Sequence, residues 1–309
     1  MDEAKGYDIS VTVFCRNEAA RIGACLAAIA AAGAGFRLAV TVIANGSTDD
    51  SIPRAIEAVR GHDLPARIYS IDHADKANAI NHSFYELREP ARLHVFTDAY
   101  AVMAPDSFNG FATMLARHSH ALAATGVAGN GRTMMAATDA TLREGGRLHG
   151  QLHAFRPDFL DRLTALGLRL PIGLYRGDGL LGSMACHDLD PIANPWDSLR
   201  IKGVVEAVYT IPRLSPLRPA DIARQFRRKI RQMRGRLENE AIKSVIYANG
   251  FGALPAHADD MIRAWLAGGG HIETSRIDRA FMQLALRDIE KSPRAEAARL
   301  QPHLVHANA

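Results

Sequence analysis

Cysteine is scarce in this chain: Cys15, Cys25 and Cys186 are the only three among 309 residues. They form no CxxC pair and no metal-ligand spacing, which argues against a disulfide framework or a structural zinc site and favours a reduced, cytoplasmic setting. Long apolar runs are also missing. No stretch reaches the ~20 apolar residues that a membrane-spanning helix needs. The nearest, from Ala24 to Phe36, is mostly Ala and Gly, ends at Arg37, and reads as a packed helix. No basic segment followed by an apolar one opens the chain, as a secretion signal would. Two phosphate-binding signatures are absent as well. GxGxxG does not follow the first strand, which excludes a Rossmann oxidoreductase, and GxxxxGK[ST] occurs nowhere, which excludes a P-loop NTPase. Internal repeats and low-complexity tracts are lacking beyond a general richness in Ala.

What is present is a globular composition, 48% hydrophobic and 23% charged, which can bury a core. The net charge of +4 is unevenly spread. Between Arg218 and Arg236 lie eight basic residues and one acid, a local +7 that leaves the rest near −3. So local a charge does not suit a nucleic-acid surface, and no nucleic-acid partner is expected.

The first half alternates apolar, β-branched runs with helical patterns. Strands are expected at Ile9–Cys15, Arg37–Ala44, Ala66–Ile71 and Leu93–Thr97, and helices at Glu18–Ala32, Ser51–Arg60, Lys76–Leu87 and Pro105–His118. This alternation predicts an α/β fold with a mostly parallel sheet flanked by helices. Further on, Leu148–Phe155 and Arg200–Ile211 read as strands and Pro157–Leu166 as a helix, while Pro171–Gly182 is a Gly-rich turn leading into another. Pro212, Pro216 and Pro219 then punctuate the chain. We place a boundary there, with a catalytic domain over 1–216 and a helical extension over 217–309.

Ligands of such sheets bind beyond the carboxyl ends of the strands. The polar residues just after each strand are therefore the candidates: Asn17 and Glu18, Asn45 through Asp50, the Asp72–Lys76 turn, and Asp98. Carboxylates there suit ribose hydroxyls or a base N–H.

Six segments in order resemble glycosyltransferase family 2, inverting sugar transferases of the GT-A fold. VTVFCRNEAARI is similar to that family's opening strand and turn, VIANGSTDDS to its second nucleotide-binding turn, and KANAINHSF to the Lys-led helix that follows. FTDAYAVM sits at its DxD motif, LHGQLHAFRPDFL resembles its acceptor-side strand and helix, and LYRGDGLLGSM the segment with its catalytic base. The resemblance implies that Asn17 and Glu18 border the nucleoside, Asn45 and Ser47 line the base, Asp49 belongs to the same turn, and Lys76 faces ribose or phosphates. Asp98 would bind the sugar nucleotide and a divalent metal (Mg2+ or Mn2+), and Asp178 would be the general base.

Two departures stand out. Ala44-Asn45 replaces an acidic pair, and Tyr100 replaces the second Asp of DxD. Tyr is a poor ligand for hard cations. Either Asp98 alone holds the metal with diphosphate and water, or cationic side chains replace it; His187 is a minor candidate for a late metal ligand. The basic segment is one source of cations. Ile222, Phe226, Ile230, Met233 and Leu237 fall on one helical face. Arg228 and Arg231 lie off that face, in a degenerate match to the QRxRW motif of processive family members. The same segment, Ala220–Leu237, also reads as an amphipathic helix on an anionic membrane, peripheral on its inner face, or as plain core packing.

The expected partners are a nucleotide-sugar donor and a hydroxyl acceptor, a lipid-linked or cell-surface glycan. The alternatives are a catalytically degenerate protein that binds a nucleotide sugar, and a nucleotidyltransferase, although the opening turn lacks that class's Gly-rich loop.

Overall fold

The computed structural model describes residues 6–212, 219–291 and 293–308. Four parallel strands form its centre: β1 (Tyr7–Cys15), β2 (Leu38–Asn45), β3 (Ala66–Ile71) and β4 (Ala91–Asp98). Their apolar, β-branched residues are buried on both faces, as a parallel sheet requires. Helices α1 (Ile22–Ala32), α2 (Ser51–Gly61) and α3 (Lys76–His82) make the crossovers, and α4 (Ser107–Arg117) follows β4. After α3 the chain widens into a π-helical turn, Ser83–Leu87.

The remaining strands extend this sheet. β5 (Val102–Met103), β6 (Ala123–Ala128), β7 (Leu152–Phe155) and β8 (Ile201–Thr210) complete one side, with α5 (Arg132–Glu144), α6 (Pro157–Ala165) and α7 (Gly177–Cys186) between them. The spatial order is β5-β8-β6-β7-β4-β1-β2-β3-β9, the last being β9 (Pro302–Asn308). β7 runs antiparallel between β4 and β6, while β6 and β8 are parallel. The expected α/β sheet flanked by helices holds, parallel at its centre and antiparallel at β7 and at both edges.

Period-2 alternation sorts the strand residues into two cores. Ile9, Val11 and Val13 pack with Leu26, Ile29 and Phe108 on one face. Phe14, Phe96, Phe155, Leu181 and Leu237 pack on the other, beneath α3, α6, α7 and the C-terminal helices. Those helices are α8 (Pro219–Asn249), α9 (Ala258–Ala267) and α10 (Arg276–Lys291). The boundary expected near Pro216 lies outside the described residues.

Several elements, the short β5 among them, differ from the sequence reading. β6 and α5 fill a region without an expected element, and the C-terminal segment is not helical throughout. Its last residues form β9, antiparallel to β3 at the sheet edge. Just before it, the Leu300 carbonyl accepts from Asn78 Nδ2 (2.8 Å) and a nitrogen of His82 (2.9 Å), so the chain end is fastened to the α3 side of the sheet.

The apolar stripe of α8 divides along its length. Met233 and Leu237 are 4% and 2% exposed, whereas Ile222 and Phe226 are 54% and 50% exposed. At 1.5 Å per residue the helix is about 46 Å long, longer than the core beneath it. Core packing thus describes the second part of the stripe and not the first. Among the described residues no helix is long and apolar enough to cross a membrane.

Candidate donor and base site

The site lies where the carboxyl ends of β1, β2 and β4 meet the loops from β7 and α7. At one end of the site, two loops are sewn together. Asn17 is in the left-handed region (φ 54°). Its N–H donates to Ser47 Oγ (3.2 Å), and its Oδ1 accepts from the Thr48 N–H (2.7 Å). The Ala19 N–H donates to Asp49 Oδ2 (3.1 Å), and the Glu18 N–H to Ser51 Oγ (2.7 Å). Gly46 makes the turn possible. It has φ +65°, its N–H reaches the Ile71 carbonyl (2.7 Å), and a Cβ there would stand 2.5 Å from Ala74.

Sequence reasoning groups Asn17, Asn45, Ser47 and Asp49 as nucleoside contacts. The structure brings them together but shows that several brace the loops. Asp49 also accepts from the Ser51 N–H (3.0 Å) and from its hydroxyl. Burial pushes the Asp49 carboxyl up, but these hydrogen bonds outweigh it and hold the group below the usual range. Asn45 is buried at the end of β2, and Glu18 pairs with Arg21 (2.6 Å).

Asp98 ends β4, opposite Phe14 in register. One carboxylate oxygen accepts from the Lys76 ammonium and the other from Tyr100 Oη (2.8 Å). Lys76 opens α3, whose N-cap Asp75 accepts from the Asn78 N–H (2.9 Å). Its Nζ also reaches the Gly150 carbonyl (3.4 Å) and lies 5.4 Å from the Phe14 ring centre. Behind Tyr100, Gln151 Nε2 donates to the phenol oxygen (3.4 Å), and Tyr209 Oη donates to Gln151 Oε1 (3.4 Å). Burial raises the Tyr100 phenol well above its ordinary value and Asp98 raises it further, so Tyr100 stands as a neutral hydroxyl.

Asp178 lies in the first turn of α7 and is only partly buried. It sits against Gly150: a Cβ on that glycine would stand 3.2 Å from Asp178 Oδ2. Gly150 thus links the two acids, its carbonyl held by the lysine of Asp98 and its Cα flanked by Asp178. Tyr209 reports the same convergence. Burial pushes its phenol up, and the charges of Asp98 and then Asp178 push it further.

The turn before Asp178 is clamped from α8. Glu238, fully buried, accepts from the N–H groups of Tyr175 (3.0 Å) and Arg176 (3.2 Å) and from Arg234 Nε (2.9 Å). Arg234 also reaches the Gly173 carbonyl (2.8 Å) and Asp259 (2.6 Å). Burial pushes the Glu238 carboxyl up, and the Arg234 guanidinium and the two N–H donors oppose that. From the other side, Asp75 accepts the Gly173 N–H. Gly150, Gln151, Tyr209 and Glu238 are the residues sequence reasoning did not single out. The small, polar Gly-Gln pair ahead of an apolar strand was a signal for the first two. Nothing local marks Glu238.

The basic residues of α8 do not gather on Asp98. Lys229 and Arg236 pair with Asp278 (2.8 and 3.7 Å), and Arg231 lies 5.7 Å from the Tyr175 ring. Arg228 is exposed. Neither Arg228 nor Arg231 bonds to Asp98, so diphosphate contact by them requires the donor to extend toward α8. His187 is removed from the candidates for a metal ligand. It sits at the far end of α7 from Asp178, about 14 Å along the helix axis. There its Nδ1 faces the Asn194 carbonyl (2.8 Å), and its ring packs against Trp196 and Tyr247.

A divalent cation at Asp98 would meet one carboxylate, already engaged on both oxygens, and a phenol. Among the described residues no group of three or more His, Cys, Asp or Glu is placed to hold a metal ion. Hard cations take several oxygen ligands with carboxylates prominent, so one carboxylate and a phenol make a poor donor set that would leave an ion dependent on diphosphate and water.

No family model and no curated protein matches the chain. Solved structures do. A mannosyltransferase of Pyrobaculum calidifontis, PcManGT, in complex with GDP-Man and Mn2+, superposes with a TM-score of 0.58 at 20% identity, over 93% of this chain and 87% of that one. Residues 1–349 of TarS from S. aureus superpose with a TM-score of 0.54 at 15% identity, over 91% of this chain and 80% of the other. The first of these holds Mn2+, so the fold itself can accommodate a divalent cation. At such identities the likeness speaks for architecture, and on that architecture the chain has the fold of the GT-A glycosyltransferases.

Proposed function

We propose that the chain is an inverting glycosyltransferase of the family 2 type, moving a sugar from a nucleoside-diphosphate sugar to a hydroxyl acceptor. The observation that carries this reading is the meeting of Asp98 and Asp178 across Gly150. One acid ends a central strand beside the nucleotide loops. The other opens a helix on the far side of the same small residue.

In the reaction, Asp178 takes the proton of the acceptor hydroxyl. The hydroxyl oxygen attacks the anomeric carbon as the bond from that carbon to the diphosphate oxygen breaks. The electron pair leaves with the nucleoside diphosphate, beside Lys76 and Asp98. Asn17, Asn45 and Ser47, with Glu18 and Asp49 in the same loops, bound the nucleoside end, and Arg228 and Arg231 would meet the diphosphate only from a donor extended toward α8. In-line attack inverts the configuration. An NMR assay of the product therefore distinguishes the mechanism: an α-linked donor is expected to give a β-linked product, and retention would refute the role of Asp178 as base.

A lipid-linked or cell-surface glycan is the acceptor we favour. The first turns of α8 support it, since Ile222 and Phe226 are exposed beside the exposed Arg227, Arg228 and Arg231. An apolar strip edged by cations suits the inner, anionic face of a membrane. Flotation with vesicles of phosphatidylcholine, with and without phosphatidylserine, tests this: the anionic vesicles alone are expected to carry the protein, and equal recovery without them would argue for another use of the strip. Tyr100 favours a second reading, a protein that binds the donor without turning it over. Donor hydrolysis or transfer with any of UDP-, GDP- and dTDP-sugars would dismiss it.

A further inference from the structure

We propose that Lys76 stands in for the divalent cation, so that this chain holds the donor diphosphate without metal. The inference rests on the sugar-nucleotide reading above and specifies how that site is charged. Its first support is the donor set. Tyr100 Oη donates to one oxygen of Asp98 and the Lys76 ammonium to the other, so each oxygen already accepts a hydrogen bond and position 100 supplies a donor where an ion would need a ligand. Gln151 donates in turn to Tyr100, so the phenol is oriented as a donor toward Asp98 and not as a ligand toward the cleft.

The second support is charge balance. Here one carboxylate, Asp98, faces one ammonium, Lys76. With Tyr100 in place of an acid, this carboxylate–ammonium pair is neutral without an added ion. An ammonium is also suited to the place sterically. It has three N–H donors, of which Asp98 and the Gly150 carbonyl take two. The side chain is 40% exposed, so the remaining donor is open to a phosphate oxygen on the cleft side.

The third support is that several basic residues of α8 are engaged elsewhere. Lys229 and Arg236 face Asp278, and Arg234 is shared by Glu238 and Asp259. Arg231 lies over Tyr175. Lys76 is the cation that touches Asp98, and Gly150 places it next to Asp178 as well. It would therefore stabilise the charge that develops on the leaving diphosphate at the moment of bond breaking.

The test uses the whole chain and three probes, UDP, GDP and dTDP, titrated by calorimetry in EDTA and in Mn2+. At least one nucleotide is expected to bind with a Kd that changes less than about threefold between the two conditions. Lys76→Met is expected to weaken that nucleotide at least tenfold in both, and Lys76→Arg to restore part of the loss. Tighter binding in Mn2+ by tenfold or more, lost in EDTA, overturns the proposal. So does a folded Lys76→Met variant with unchanged Kd. If Lys76→Met does not fold, the wild-type comparison in EDTA and Mn2+ decides alone. Failure of all three nucleotides to bind in either condition overturns the donor reading itself, and the role of Lys76 with it.

Discussion

The loops after β1 and β2 and the turn before Asp178 are built in different ways. The loops after β1 and β2 are tied by short hydrogen bonds among Asn17, Ser47, Thr48, Asp49 and Ser51, residues within one αβ repeat of each other. The Tyr175–Asp178 turn owes its place to Glu238 and Asp75, more than sixty residues away on either side. Loops made from adjacent strands come with the fold. The Asp178 turn, held by a buried ion network, depends on the C-terminal helices, so under the proposed function those helices belong to the site as much as the sheet does. The difference predicts that damage to α8 will disturb the chemical step while sparing donor binding.

The largest effect is expected where the two regions meet. Asp178→Asn should lower kcat by ~10²–10⁴, the usual contribution of a general base, with donor Kd within about threefold of wild type. Asp98→Ala should do the converse and weaken the donor. Steady-state kinetics beside calorimetry will show whether the two effects separate; if both variants lose donor affinity equally, the division of labour is wrong.

Next comes the clamp. Glu238→Ala leaves Arg234 short of a partner in a buried setting and removes the acceptor for two backbone N–H groups. Breaking one side of such a pair costs about 3–5 kcal/mol. Urea unfolding should register the loss, and hydrogen exchange should rise at Tyr175 and Arg176 ahead of the β1 and β2 loops. Uniform exchange across both regions would mean that Glu238 serves the fold at large.

Acid should loosen the shared sheet in a defined window. Burial pushes His94 down to about 4 and His153 down to about 3, from an ordinary value of 6.5. Above 6.5 both folded and unfolded chains carry these rings neutral. Below it the unfolded chain binds protons that the folded one does not, so stability falls as pH falls. Two such rings cost on the order of 2–4 kcal/mol between pH 6.5 and 5. Unfolding at the two pH values measures it, and a flat profile would show that neither ring is buried as described.

The smallest effects separate the two parts of α8. Leu237→Ala should cost about 2–5 kcal/mol, as for a buried leucine. Phe226→Ser should change stability by only a few tenths of a kcal/mol, since its contact with Phe281 (5.2 Å between ring centres) is its main tie. A large loss on Phe226→Ser would show that the exposed strip is structural.

How much of this was legible in the sequence follows the same contrast. β1 to β4 announce themselves as apolar, β-branched runs, and Asp98 stands out as the acid that closes one of them. Asp178 is visible as the lone acid in a Gly-rich turn. β6 is not, because its sequence AATGVA is poor in β-formers and takes its shape from β7 and β8. β9 is hidden for a like reason: PHLVHAN becomes a strand by pairing with the exposed edge of β3. The α8 stripe has the right spacing throughout, yet spacing does not tell which turns reach the core. Glu238 is one acid among many until the fold brings it under Tyr175.

The account turns on one arrangement, a sugar lying between Asp178 and the Lys76–Asp98 pair. A crystal structure with a non-transferable sugar nucleotide tests it most directly. The diphosphate should lie against Lys76, with the anomeric carbon over Gly150 and Asp178 on the face opposite the leaving oxygen. A diphosphate bound away from Lys76, or Asp178 on the same face as the leaving group, would contradict it.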